Sequence, residues 1–156
     1  MRGTRRAIAR VLFLPLVLLI SRAQALQKLE NKIRDDLYGL YYGTWSEQPA
    51  DVATVISPDG KPIPPKENDP QAPTRPGFYV GEKRFEFVSS RVSNERFTFQ
   101  TTSVDGVAFS FDGKFGRERV EGIDELVPYV EGELRETRDG TAVKKKTMHF
   151  AHAVVL

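Results

Sequence analysis

The sequence predicts an all-β fold, an antiparallel up-and-down β-barrel of about eight strands with a short N-terminal helix, and a β-sandwich as the alternative. Three observations predict it. Between Lys83 and Phe115 the chain reads KRFEFVSSRVSNERFTFQTTSVDGVAFSFDGKF, in which phenylalanine alternates with polar residues at the period of a strand. Asp105-Gly106 and Asp139-Gly140 supply the pairs that hairpin turns demand. Once an N-terminal leader is set aside, the length suits one domain with a single core.

The leader comes first. Met1 to Arg10 hold four arginines and no acid, Val11 to Ile20 are apolar except for Pro15, and Ala23-Gln24-Ala25 supplies small residues. This is the pattern of a secretory signal peptide over residues 1–25, cleaved between Ala25 and Leu26. The apolar run from Ile8 to Ile20 falls short of the roughly 20 residues a membrane-crossing helix needs, so no stable membrane anchor is expected after cleavage. Five of the 23 Lys and Arg lie in the leader and all 21 acids lie beyond it, which leaves 18 cations against 21 anions, a net charge of −3. The basicity belongs to export, and the mature domain has no electrostatic footprint for nucleic acid.

The chain has no cysteine. A disulfide-free core must therefore hold the fold, and a bacterial lipoprotein anchor is excluded. Asn31, Asn68 and Asn94 all lack the hydroxyl residue of an N-glycosylation acceptor. The expected location is periplasmic or extracellular.

In the single domain over 26–156, Leu26, Leu29, Ile33 and Leu37 stand at helical spacing among charges, predicting an amphipathic helix that Gly39 ends. Leu40 to Glu47 is the first strand, with Tyr42 and the sole tryptophan, Trp45, in different phases unless Gly43 forms a bulge. Asp51 to Ser57 is the second. The stretch over 57–77 holds seven of the ten prolines and cannot be regular structure through most of its length. It is read as a mobile surface excursion, with a lid over a cavity as the sharper alternative.

Phe78 to Val80 begins another strand. In the meander, Phe85 and Phe87, then Phe97 and Phe99, then Phe109, Phe111 and Phe115 share one face, opposite Arg84, Glu86, Thr98, Gln100, Ser110 and Asp112. Gly116 to Pro128 is charged and lacks alternation, so a loop or short helical turn is expected. Tyr129 to Arg138 alternates again, with Val130, Gly132 and Leu134 on one side. The last strand runs from about Thr141 to Val155, with Met148, Phe150 and Val154 inward, and Lys144, Lys145 and Lys146 pair across with Glu131, Glu133 and Glu136.

This order, together with Gly43-Thr44-Trp45, resembles the calycins, the lipocalin-like group of small barrels that place Gly-x-Trp on the first strand after a helical turn. The resemblance implies that Trp45 closes one end of the barrel near an arginine of the last strands, Arg135 or Arg138, and that a small apolar molecule binds inside. The residues that would line such a site are Tyr42, Trp45, Phe87, Phe99 and Phe111. An eight-stranded barrel is only just wide enough for its own side chains, so the phenylalanines are first a packed core and second a ligand surface.

Catalytic chemistry is sparse. His149 and His152 are three apart on a strand and project to opposite faces. No Gly-x-Ser-x-Gly elbow or phosphate-binding glycine loop is present, and Asp124-Glu125 are read as solvated loop acids. The expectation is a non-enzymatic protein with no cofactor and no metal. It binds either a small apolar molecule in the barrel or, with a filled core, another envelope or secreted macromolecule.

Overall fold

The computed structural model describes residues 34–48, 51–65 and 70–153. The signal peptide, its cleavage point, residues 26–33 of the expected helix and Val154 lie outside the described residues. Nine strands form one antiparallel sheet: β1 (Gly39–Gly43), β2 (Val52–Ile56), β3 (Gly77–Val80), β4 (Lys83–Phe85), β5 (Phe87–Val92), β6 (Arg96–Thr101), β7 (Val107–Arg119), β8 (Leu126–Arg138) and β9 (Thr141–His152). Around the sheet the order is β4-β3-β2-β1-β9-β8-β7-β6-β5. Every neighbour is also a sequence neighbour except β1 and β9. Those two pair through Tyr41 with His152 and Tyr42 with Ala151, joining the first strand to the last.

The two sheet edges, β4 and β5, are separated by one residue, Glu86, whose carbonyl accepts a 2.8 Å bond from the Thr102 amide. The barrel is therefore nearly closed at a single bent run of chain: its first half pairs back onto β3 and its second half forward onto β6. A register shift between Phe87 and Ser89 marks a bulge there, which bends the strand further. This division makes nine strands where about eight were expected.

Two further expectations are corrected. Within the described part of the predicted helix there is only a 3-10 turn, Asp35–Leu37, because Arg34 and Tyr38 on either side are extended and no side chain caps the turn. Leu37 is held instead by tertiary contact: it is buried, and its carbonyl accepts a 2.9 Å bond from the Tyr41 hydroxyl. Burial pushes the Tyr41 phenol well above its ordinary range. The charged stretch expected as a loop is mostly strand. β7 and β8 continue paired as far as Arg119 and Leu126, leaving a short turn over 120–125. Strand alternation is not legible there because the β8 half opens on the exposed Leu126 and then buries two consecutive residues, Val127 and Pro128.

The interior follows the phenylalanine pattern. Phe97, Phe99, Phe109 and Phe111 are buried, and Phe115 packs beside them. Phe78 is fully buried among Phe85, Phe99, Phe109 and Phe150 at centroid distances of 4.8–6.4 Å. Each such tilted or edge-on pair adds about 0.5–1.5 kcal/mol beyond area burial. Tyr41, Val130, Leu134, Met148 and Phe150 complete the core.

A second apolar cluster lies on the outer side of β1 to β3, where Leu40, Ala53, Val55 and Tyr79 meet Ala72 and Ile63 of the proline-rich segment. The Ile63 amide bonds the Thr74 carbonyl at 2.8 Å, and the Tyr79 hydroxyl donates to the Arg75 carbonyl at 2.7 Å. This cover explains why all five residues of β2 are buried when alternation predicts only one face.

Candidate functional site

One end of the barrel carries the two Asp-Gly turns. Asp105 and Gly106 (φ 52° and 77°) join β6 to β7, and Asp139 and Gly140 (φ 48° and 80°) join β8 to β9. Both φ values are positive in each turn, as type I′ geometry requires. The Asp139 amide donates to the Gly106 carbonyl at 2.8 Å, tying the turns together. At the opposite end the 3-10 turn is anchored by an Arg117–Asp36 ion pair and by a 2.8 Å bond from the Arg34 amide to Asn94 Oδ1.

Trp45 follows β1 at the Asp-Gly end and is 6% exposed. Its backbone is fixed by Asp51, whose carboxylate accepts from the amides of Trp45 (2.5 Å) and Ser46 (2.7 Å). Burial opposes ionisation of Asp51, but the bonds from Ser46 and Trp45 outweigh it and hold the carboxyl below its ordinary value. The indole meets Phe109 edge-on at 6.2 Å. On its other flank the Lys144 ammonium lies 4.1 Å from the ring centroid and donates to the Trp45 carbonyl at 3.3 Å. Lys146 donates to the carbonyls of Thr44 (3.0 Å) and Trp45 (3.2 Å).

The calycin resemblance implied an arginine beside this tryptophan. The stacked cation is Lys144 of β9, two residues before Lys146 on the same face. The lysine run thus divides: Lys145 faces outward and pairs with Glu133, while Lys144 and Lys146 turn to the chain end at Trp45. Strand alternation separates their roles.

Beside Trp45 opens a cavity of about 320 Å³. Its walls are apolar, formed by Trp45, Val80, Phe85, Val104, Val107 and Phe109, and its charged lining is Lys83, Glu136 and Arg138. Lys83 pairs with Asp105, whose carboxyl is held low by that bond and the lysine charge. Glu136 is 7% exposed and accepts a 2.8 Å bond from Arg138 Nε. Walls of this kind with a few convergent polar groups suit a small amphipathic molecule.

The five residues expected to line a site do not converge. Trp45 is at the cavity. Tyr42 lies on the outer face and packs against the second cluster. Phe99 and Phe111 are buried in the core, 5.6 Å apart. Phe87 is half-buried against Phe99 and lines a separate crevice of about 360 Å³ where β4 and β5 diverge, together with Ile56, Val92 and Phe97. A groove of about 590 Å³ on the outer face of β6 to β8 is polar; within it Arg96 pairs with Asp112 and Arg135 with Glu133, and Lys114 and Glu131 line it as well.

His149 and His152 occupy opposite faces. His149 stacks on Tyr129 at 4.6 Å and lies 3.2 Å from Glu118, whereas His152 meets Tyr41 edge-on at 4.8 Å. Among the described residues no group of three or more His, Cys, Asp or Glu side chains is arranged to hold a metal ion.

Of the two arginines that the resemblance offered near Trp45, Arg138 lines its cavity and Arg135 does not, while sequence reasoning overlooked Glu136 as the partner of Arg138 there. The signal was available in β8: counting inward by twos from Val130 and Leu134 places a glutamate at an interior position. No protein-family model, curated protein or solved structure matches the chain.

Proposed function

We propose that this protein is an exported, non-catalytic binding barrel of calycin type that takes a small apolar molecule at its Trp45 end. One observation carries the reading: an apolar-walled cavity of about 320 Å³ adjoins a tryptophan whose backbone is fixed by Asp51 and whose ring is flanked by Lys144. The aromatic rings packed through the interior limit the proposed site to the mouth of the barrel, in keeping with the tight fit of a small barrel around its own side chains.

The test is native mass spectrometry of the protein purified from its own host, with Trp45 emission recorded before and after solvent extraction. A retained small molecule whose removal shifts the emission is the expected result. A bare protein mass with unchanged emission overturns the reading.

A second reading, a secreted or envelope protein that binds another macromolecule, is favoured by β5, a sheet edge on which Val88 is 67% exposed. The bulge and Arg91 on that edge are features that discourage strand addition, which places this reading second. Cross-linking in the intact host, with Val88→Lys as the comparison, tests it: a single partner lost in the variant is required.

A further inference from the structure

We infer that the polar groove on the outer face of β6 to β8 is a second binding site, which takes a neutral oligosaccharide, and this inference stands apart from the reading of the Trp45 cavity. The groove's volume of about 590 Å³ falls within the roughly 300–1,000 Å³ of ligand clefts. Phe99 and Phe111 line it although their rings are buried in the core, so their main chain forms its floor and the outward side chains form its walls.

Strand register sets those walls in rows. Ser89 of β5 faces Gln100, Gln100 faces Ser110, and Ser110 faces Arg135. In the adjoining row Thr98 faces Asp112, which faces Glu133. Among the described residues the side chains of Ser89, Thr98, Gln100 and Ser110 make no hydrogen bond to the protein. Each hydroxyl or amide is both donor and acceptor. Four such groups in one groove leave unspent capacity of both kinds for a ligand.

The charged groups beside them are fixed by one another. Arg96 bonds both oxygens of Asp112, through Nε at 2.7 Å and through Nη2, and Glu133 is held between Arg135 and Lys145. The lining holds three cations, Arg96, Lys114 and Arg135, against three carboxylates, Asp112, Glu131 and Glu133. That balance selects no ion. An extended peptide is disfavoured as well, because the main chain of β6, β7 and β8 is already paired on both sides of β7 and offers no strand edge. A chain of sugar rings matches what remains, since its closely spaced hydroxyls also donate and accept and carry no charge.

Chitotetraose, cellotetraose and maltotetraose are titrated into the full chain and followed by calorimetry and by amide chemical shifts. A cationic chitosan tetramer and an anionic tetragalacturonate serve as comparisons. A neutral tetrasaccharide should bind more tightly than either charged one, with shifts centred on β6 to β8. Gln100→Ala combined with Ser110→Ala should weaken it about tenfold or more, the size of effect expected for two lost hydrogen bonds. Thr147→Ala, next to the groove on β9, should bind as the parent does, and circular dichroism should be the same for all three proteins. Three results overturn the inference: no neutral tetrasaccharide shifts the β6 to β8 amides, a charged oligosaccharide binds more tightly, or the double variant binds as well as the parent. None of them bears on the Trp45 cavity, whose test is the emission of Trp45.

Discussion

Lys144 Nζ stands 4.1 Å above the centre of the Trp45 ring, joining the last strand to a residue just beyond the end of the first. The β1–β9 ladder spans only the pairs Tyr41–His152 and Tyr42–Ala151, which lie short of Trp45. Where that ladder stops, lysine side chains take over its task, bonding the carbonyls of Thr44 and Trp45. Replacing Lys144 with Met should cost about 0.5–1 kcal/mol, the range for a cation–π contact at an exposed site, and should alter Trp45 emission. Lys144→Arg should retain most of both. Urea unfolding monitored by fluorescence checks the pair, and identical midpoints for the parent and Lys144→Met would refute the contribution.

The core prediction concerns Phe78. It sits on β3, outside the long phenylalanine meander, yet its ring touches Phe85, Phe99, Phe109 and Phe150. It therefore bridges the two ends of the open sheet across the barrel. Phe78→Ala should lose about 3–5 kcal/mol. Phe87→Ala should lose clearly less, because Phe87 is half-buried at the crevice. Chemical denaturation of both variants orders them, and a smaller loss for Phe78→Ala would show that the β3 ring is not the centre of the core.

What the sequence made legible follows where side-chain chemistry and backbone period agree. Phe97, Phe99, Phe109 and Phe111 alternate and turn inward, and both Asp-Gly turns form where the pairs stand. The division at Glu86 was hidden because Phe85 and Phe87 keep strand alternation straight through it; the break lies in their hydrogen-bond partners, β3 for one and β6 for the other. The burial of Ala53 and Val55 was hidden because distant Ile63 and Ala72 cover them. Glu136 was grouped with the acids facing the lysines, yet its register neighbour Lys144 stacks on Trp45 and Arg138 becomes its partner.

Asp51 makes the Trp45 turn sensitive to acid. Its folded carboxyl is held below the ordinary value of 3.8, despite burial, by bonds from Ser46 and the Trp45 amide. A depressed folded value means that the stabilisation is fully present above that ordinary value and is lost as the pH falls through the folded one. Asp36, Asp105, Asp112 and Glu133 are depressed too, so the parent's acid limb is a sum. Asp51→Asn should be less stable than the parent at neutral pH, and the gap should narrow as the pH is lowered below 3.8. Unfolding midpoints of the two proteins across that range test the sign. A gap that stays constant or widens would rule out ionised Asp51 as the group that holds the turn.

Gly132 tests how tightly the long β7–β8 hairpin is bent. It pairs with Gly113 between the inward positions Val130 and Leu134. A Cβ on Gly132 would overlap the Asp112 carbonyl oxygen and the Gly113 Cα, and a Cβ on Gly113 would overlap the Phe111 ring. The two backbones thus approach where side chains elsewhere fill the interior, and the paired glycines let the hairpin coil around the barrel. Backbone atoms cannot swing aside as a side chain can, so Gly132→Ala should cost about 1–3 kcal/mol or more. Gly122→Ala is a less useful control because its φ is 82°, whereas Ala142→Gly in the exposed part of β9 removes a methyl group without touching the bend. If Gly132→Ala unfolds at the same urea concentration as the parent, the hairpin is not closed tightly at this pair, and the curvature must be carried by the bulges at Phe87 and Glu136 instead.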